Sequence, residues 1–303
     1  VNGFFVGSRH GRHICIHEKK GESSMPSAIP LLSACLSRPA RAGAGAIGLA
    51  LLLAGCASTP LPPWPGAGGM DSPAASAPAS CPAAVRDEGP VPAVVISTAP
   101  PTRQGVIDAA RVEWDFFGNQ QIDMRHEPFS SPRLGLLEDE GEAVQRVAQY
   151  WHAVGRNLTG ADCQQAWSAA FISFLMVTSN VPPQDFAPND NHFSYLDFLK
   201  QRQQQGAPAF LLVSAASTPI APGDLICAPR GNNAAATLDD IHPGLPGHCD
   251  VVLEVHPEEG WAGVIGGNVF NSVSESLIPV DEQARLVPIA QRSWLVVGKN
   301  QLP

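Results

Sequence analysis

At 303 residues the chain could hold one large domain or two small ones, with additional segments. Its formal charge of −9 is uneven: residues 1–56 carry six Lys/Arg and two Glu, leaving 13 basic and 26 acidic side chains beyond. That acidic remainder argues against nucleic acid or an anionic lipid surface as the main partner. The nine histidines form no HExxH and the seven cysteines no CxxC, so neither a metal site nor an organic cofactor is expected.

Arg38 and Arg41 precede an uncharged run, "AGAGAIGLALLLAGC", that ends at Cys56. A basic region, a short apolar region and small residues before a cysteine describe an export signal, and the run is short for a membrane span. "LAGC" at 53–56 resembles the bacterial lipoprotein box. That resemblance implies a leader over 1–55, a lipid on Cys56 and, with Ser58 at the second mature position, an outer-membrane anchor facing the periplasm. The charged "HEKKGESS" stretch fits no leader, and a start at Met25 would give a normal layout. Residues 56–103 then read as a lipidated cysteine and a tether, because 11 of the 29 prolines lie between Pro60 and Pro101. "AVVIS" at 93–97 is the one strand-like run within it.

Globular sequence occupies 104–303. Ile107, Ala110, Trp114 and Phe117 recur at helical spacing before Gly118, and Val144, Val147, Trp151 and Val154 do so before Gly155. A third, amphipathic helix is expected from near Trp167, with Phe171, Phe174 and Leu175 on one side, and a fourth from about Phe193 to Gln205. After Pro222, "GDLICAPR", "HCDVVLEV", "WAGVIGGN" and "RSWLVVGK" are β-rich runs between Gly, Pro and Asn. In "HCDVVLEV" a period of two sets Cys249, Val251, Leu253 and Val255 on one face, with His248, Asp250, Val252 and Glu254 on the other. Helices followed by strands predict an α+β architecture, the helices covering one face of a mainly antiparallel sheet.

Papain-type hydrolases need a nucleophile at a helix start, a histidine base from a neighbouring strand and a polar group that orients the imidazole. Ser168, His248 and Asn268 occur in that order. The local text, "AWSAAFISFLM", "PGDLICAPR", "GHCDVVLEV" and "VIGGNVFNSVS", resembles the CHAP and NlpC-type cell-wall hydrolases and, more specifically, the DUF2272 family, over roughly 104–298. The resemblance implies a papain-like fold, with Ser168 in the cysteine position, His248 as base and Asn268 as orienting group. It also implies action on amide bonds of peptidoglycan or of another envelope peptide or protein.

Serine departs from that pattern, because a hydroxyl is far less acidic than a thiol and needs concerted removal of its proton. The alternatives are a pseudoenzyme that binds a wall fragment or protein partner through the same groove, and a helix-start serine with no site role. Trp167, His192, Tyr195 and Asp250 are candidates to line the groove, with packing and helix-start roles as the alternatives for His192 and Tyr195. His126 and His242 are expected at the surface. Cys227 and Cys249 fall on strands that would be neighbours and could form a disulfide in an exported protein, with buried thiols as the alternative. Cys163, five residues before Ser168, is a second candidate nucleophile; Cys81 in the tether carries no reading.

Overall fold

The structure, a computed structural model, describes residues 94–303 except 207, 234, 235 and 291. The leader, Cys56, Cys81 and most of the tether lie outside the described residues. Four helices form close to where the sequence places them: α1 (Arg103–Phe116), α2 (Ala143–Ala153), α3 (Ser168–Thr178) and α4 (His192–Gln204). Thr102 caps α1 by accepting from the Gly105 N–H, and Asn191 caps α4 by accepting from the Ser194 N–H. The third helix differs from expectation, since every residue from Ser168 to Met176 is buried. It is apolar all round rather than amphipathic, the pattern of a helix enclosed by its neighbours. Among the described residues no helix is long and apolar enough to cross a membrane.

Eight strands make one open sheet: β1 (Gln120–Asp123), β2 (Ser130–Arg133), β3 (Phe210–Ser214), β4 (Leu225–Pro229), β5 (Gly247–His256), β6 (Trp261–Val269), β7 (Ser272–Pro279) and β8 (Val296–Asn300). Their order is β2-β1-β7-β6-β5-β4-β8-β3. Every neighbouring pair is antiparallel except β1 with β7, so the sheet is mixed and the molecule α+β. The helices cover one face over a core that includes Cys227, Cys249, Val251 and Ile265. The other face is covered as well: Ile226, Val252, Val264 and Val297 pack with Ile122, Ile220 and Leu286 from outside the central strands. That double cover explains why "LICAP" is buried at every position.

Two local expectations change. The alternation of β5 holds as far as Leu253, but a bulge between Val252 and Glu254 inserts one residue against β6. The insertion flips the alternation, and Val255 packs with the second core rather than beside Cys249 and Val251. Within "AVVIS", the described residues from Val94 onward form no strand; the Ser97 N–H donates to the Thr178 carbonyl and docks this stretch on the end of α3. Cys227 and Cys249 face each other across β4 and β5 and form a disulfide.

Candidate active site

Ser168 is the first residue of α3, and the first intrahelical bond runs from the Phe171 N–H to the Trp167 carbonyl. The amides of Ser168, Ala169 and Ala170 therefore precede the hydrogen-bonded ladder, at the positive end of the helix dipole. A second helix start meets this one. His192 opens α4, and its Nε2 lies 2.7 Å from Ser168 Oγ. The other ring nitrogen, Nδ1, lies 2.6 Å from the hydroxyl of Tyr195, one turn along the same helix. Neither Ser168 nor His192 is more than 3% exposed.

Beside this pair stands a charged block from the sheet. Strand alternation puts His248 and Asp250 on one face of β5, with His248 Nε2 2.8 Å from Asp250 Oδ1. Arg292, in the stretch before β8, pairs with Asp250 Oδ2. Gly266 on β6 leaves room for them, because a Cβ there would fall 2.1 Å from Asp250 Oδ1 and 3.0 Å from His248 Nε2. Arg230 follows β4 two residues beyond Ala228, which is paired with His248, so alternation sets it towards the same face. The rings of His192 and His248 are 5.4 Å apart and join the two groups.

Burial governs the ionisation of the cluster. It pushes His192 well below the usual histidine range, assisted by the neighbouring His248. Burial likewise takes His248 down to about 4, against the attraction of Asp250. The same burial would raise Asp250, but the guanidinium of Arg292 and the contact with His248 hold its carboxyl well below the usual range. Of that pair the carboxylate keeps its charge and the imidazole stays neutral, donating Nε2–H to Oδ1. Arg230 is lowered to about 9 by burial and by the like charge of Arg292. Tyr195 is raised by burial and by Asp250, so its phenol is protonated.

The residues singled out in the sequence are redistributed by this geometry. The imidazole at hydrogen-bond distance from Ser168 Oγ is His192, expected to line a groove, while His248 commits Nε2 to Asp250. Asp250, expected only to line the groove, is a hydrogen-bond partner of His248. Asn268 is buried with φ 56° in the irregular end of β6, a left-handed backbone that asparagine tolerates better than most residues. Trp167 is buried; its indole N–H donates to the Glu138 carboxylate and its ring packs with Phe117, Tyr150 and Phe171. Cys163 is disulfide-bonded and offers no thiolate. His126 and His242 are exposed, as expected. Among the described residues no cluster of His, Cys, Asp and Glu side chains is placed to hold a metal ion.

Comparison with known families bears on this arrangement. The profile of a family described as "uncharacterized protein conserved in bacteria (DUF2272)" matches residues 136–297. The chain belongs to the DUF2272 family. The match runs from Leu136, ahead of α2, into β8, and so contains Ser168, His192, Tyr195, His248, Asp250 and Arg292. No curated protein and no solved structure matches. Arg292, Arg230 and Gly266 of the DUF2272 site carried no signal in the sequence. His192 and Tyr195 did carry one: His and Tyr three apart at a helix start share a face.

Proposed function

We propose that this DUF2272 protein is a serine-dependent hydrolase of the cell envelope, cleaving amide or related acyl bonds in peptidoglycan stem peptides. In this reading the fold is a variant of the papain-like CHAP and NlpC arrangement, and Cys56 anchors the chain by a lipid to the outer membrane. The observation that carries the reading is the 2.7 Å contact of Ser168 Oγ with a buried, neutral imidazole at a helix N-terminus. Ser168 Oγ bonds to the substrate carbonyl carbon while its proton passes to His192 Nε2. The oxyanion is met by amides at the start of α3, at the positive end of the helix dipole. The intermediate collapses, the carbon–nitrogen bond breaks, and His192 returns the proton to the leaving amine. Water then attacks the acyl-serine with the same imidazole as base, the bond from the acyl carbon to Oγ breaks, and His192 returns the proton to Ser168 as the acid leaves.

Hydrolysis by the purified full chain is the test, with peptidoglycan fragments and small esters as substrates. Ser168→Ala should abolish turnover, His192→Gln should lower it sharply, and trapping should find the acyl group on Ser168. Turnover that survives Ser168→Ala would remove the proposal. A second reading, an envelope lipoprotein that binds without cleaving, is favoured by the burial of Ser168, His192, His248 and Asp250, all at most 3% exposed. It predicts no turnover in the wild type and measurable binding of the same fragments.

A further inference from the structure

Four cysteines lie in the compact unit that carries the site, Pro60–Pro303: Cys81, Cys163, Cys227 and Cys249. Cys227 and Cys249 are bonded to each other across β4 and β5. Cys163 is disulfide-bonded as well, so its sulfur is joined to a cysteine other than these two. Within Pro60–Pro303 that leaves Cys81. The other cysteines of the chain, Cys15, Cys35 and Cys56, precede this unit. Export excludes the same three by a separate route, because a leader over 1–55 takes Cys15 and Cys35 with it and the sulfur of Cys56 carries the lipid.

The surroundings of Cys163 suit a fixed bond. It is half-buried in the loop that leads into α3, five residues before Ser168. Turns hold it on both sides: the Asp162 N–H donates to the Thr159 carbonyl, and the Gln165 N–H donates to the Asp162 carbonyl. Asp162 Oδ2 also accepts from the Thr159 N–H. The other end of α3 holds the chain that follows Cys81. There the Ser97 N–H donates to the Thr178 carbonyl, and the Asn180 side-chain amide donates to the Ala99 carbonyl. Cys81 is 16 residues from Ser97, a reach of up to roughly 50 Å at ~3.3 Å per residue. The 11 residues of α3 span only about 17 Å. Chain length therefore allows Cys81 to reach the start of the helix while Ser97 stays at its end.

We propose that Cys81 and Cys163 form a second disulfide, which fastens the tether to the loop ahead of Ser168. Each thiol gives up one proton and one electron to a disulfide-bearing oxidant, which leaves as a dithiol. Where Cys56 is the lipid anchor, as proposed above, the bond shortens the chain between membrane and domain to residues 57–80. It also ties that chain beside the helix start that presents Ser168. This consequence rests on the anchor reading; the pairing itself does not.

Disulfide mapping reads the pairing without any turnover. The full chain is produced by export, its free thiols are alkylated as it unfolds, and it is digested without reductant for mass spectrometry. Purified full chain equilibrated with reduced and oxidised glutathione is mapped in parallel, so that the compartment of production does not decide the result. One crosslinked species should join the peptides of Cys81 and Cys163, and another those of Cys227 and Cys249. Reduction should release both, and Cys81→Ser should leave Cys163 alkylated. Cys163 alkylated in both wild-type preparations, or joined to a cysteine other than Cys81, overturns the pairing. Should Cys81→Ser not fold, the wild-type maps decide. The mass of the Cys56 peptide tests the anchor in the digest of the exported chain. A lipid on Cys56 with Cys163 alkylated in both preparations keeps the anchor and refutes the bond. An unmodified Cys56 beside a Cys81–Cys163 crosslink does the reverse.

Discussion

A serine makes a different demand on its neighbouring histidine than a cysteine would. A serine has no stable ionised form near neutral pH, so its base must take the proton during attack, within hydrogen-bond reach. Only a neutral imidazole can do that, and burial keeps His192 neutral. Under the hydrolase reading, His192→Gln should lower kcat by about 10²–10⁴-fold with little change in KM, measured on the soluble fragment that turns over best. His248→Gln should cost less, because its Nε2 already serves Asp250 rather than the serine. Asp250 has a different duty, as the carboxylate that compensates the buried guanidinium of Arg292. Asp250→Asn leaves that charge without its counter-ion and should destabilise the fold by about 3–5 kcal/mol, read as a lowered urea midpoint. A variant that kept the wild-type midpoint but lost activity would place Asp250 in the chemistry instead.

Between elements, the site depends on strand register more than on loops. The disulfide of Cys227 with Cys249 locks β4 to β5, and His248 and Asp250 are its immediate neighbours in sequence. With a sequence separation of 22, loop closure alone predicts that the double Cys→Ala variant loses about 3 kcal/mol, observable as a lower denaturation midpoint. Gly266→Ala should disturb the same face, since its methyl group would occupy the place of Asp250 Oδ1. A loss of about 1–3 kcal/mol, with altered His248 resonances, is the expected result. These dependences also show what the sequence could reveal. Helices α1 and α2 and strands β4, β5, β6 and β8 were legible because their apolar periods are strong and Gly or Pro bounds them, whereas α3 was legible only as an apolar run, its expected one-sided face proving buried all round. By contrast "QQID" and "SSPR" carry no strand pattern; they pair at the edge of the sheet, β1 parallel to a strand about 150 residues later. Ser168 drew attention by its helix start, and His192 was named only as a groove candidate, not as its partner. The motif order pointed to His248, whereas the packing of α3 against the start of α4 delivers His192. Arg292 lies 42 residues from Asp250, in a segment without period, and only the folded sheet brings the two together.

For the molecule as a whole, the strongest handle on stability is a carboxyl the chemistry does not use. Glu138 ties three segments: its N–H donates to the Asn271 carbonyl beside β7, its Oε2 accepts from the Trp167 indole at the start of α3, and it precedes α2 in the chain. Its second oxygen, Oε1, is buried without a hydrogen-bond partner among the described residues. Burial raises its pKa from 4.5 to about 7; the Trp167 contact opposes the shift and the adjacent Asp139 adds to it. The sign follows from linkage. Between pH 4.5 and 7 the unfolded chain has released this proton while the folded chain still holds it, so folded stability falls as pH rises through that window. Above about pH 7 both states are ionised and the loss is constant, up to about 3 kcal/mol at ~1.4 kcal/mol per pKa unit. Glu138→Gln keeps an acceptor for the indole and removes the titration. Its stability relative to wild type should therefore be near zero at pH 4.5 and rise to a plateau by pH 8, in urea unfolding at a series of pH values. An unchanging difference between the two proteins across that range would mean that Glu138 is already ionised in the folded molecule, and that a counter-charge rather than a proton satisfies it.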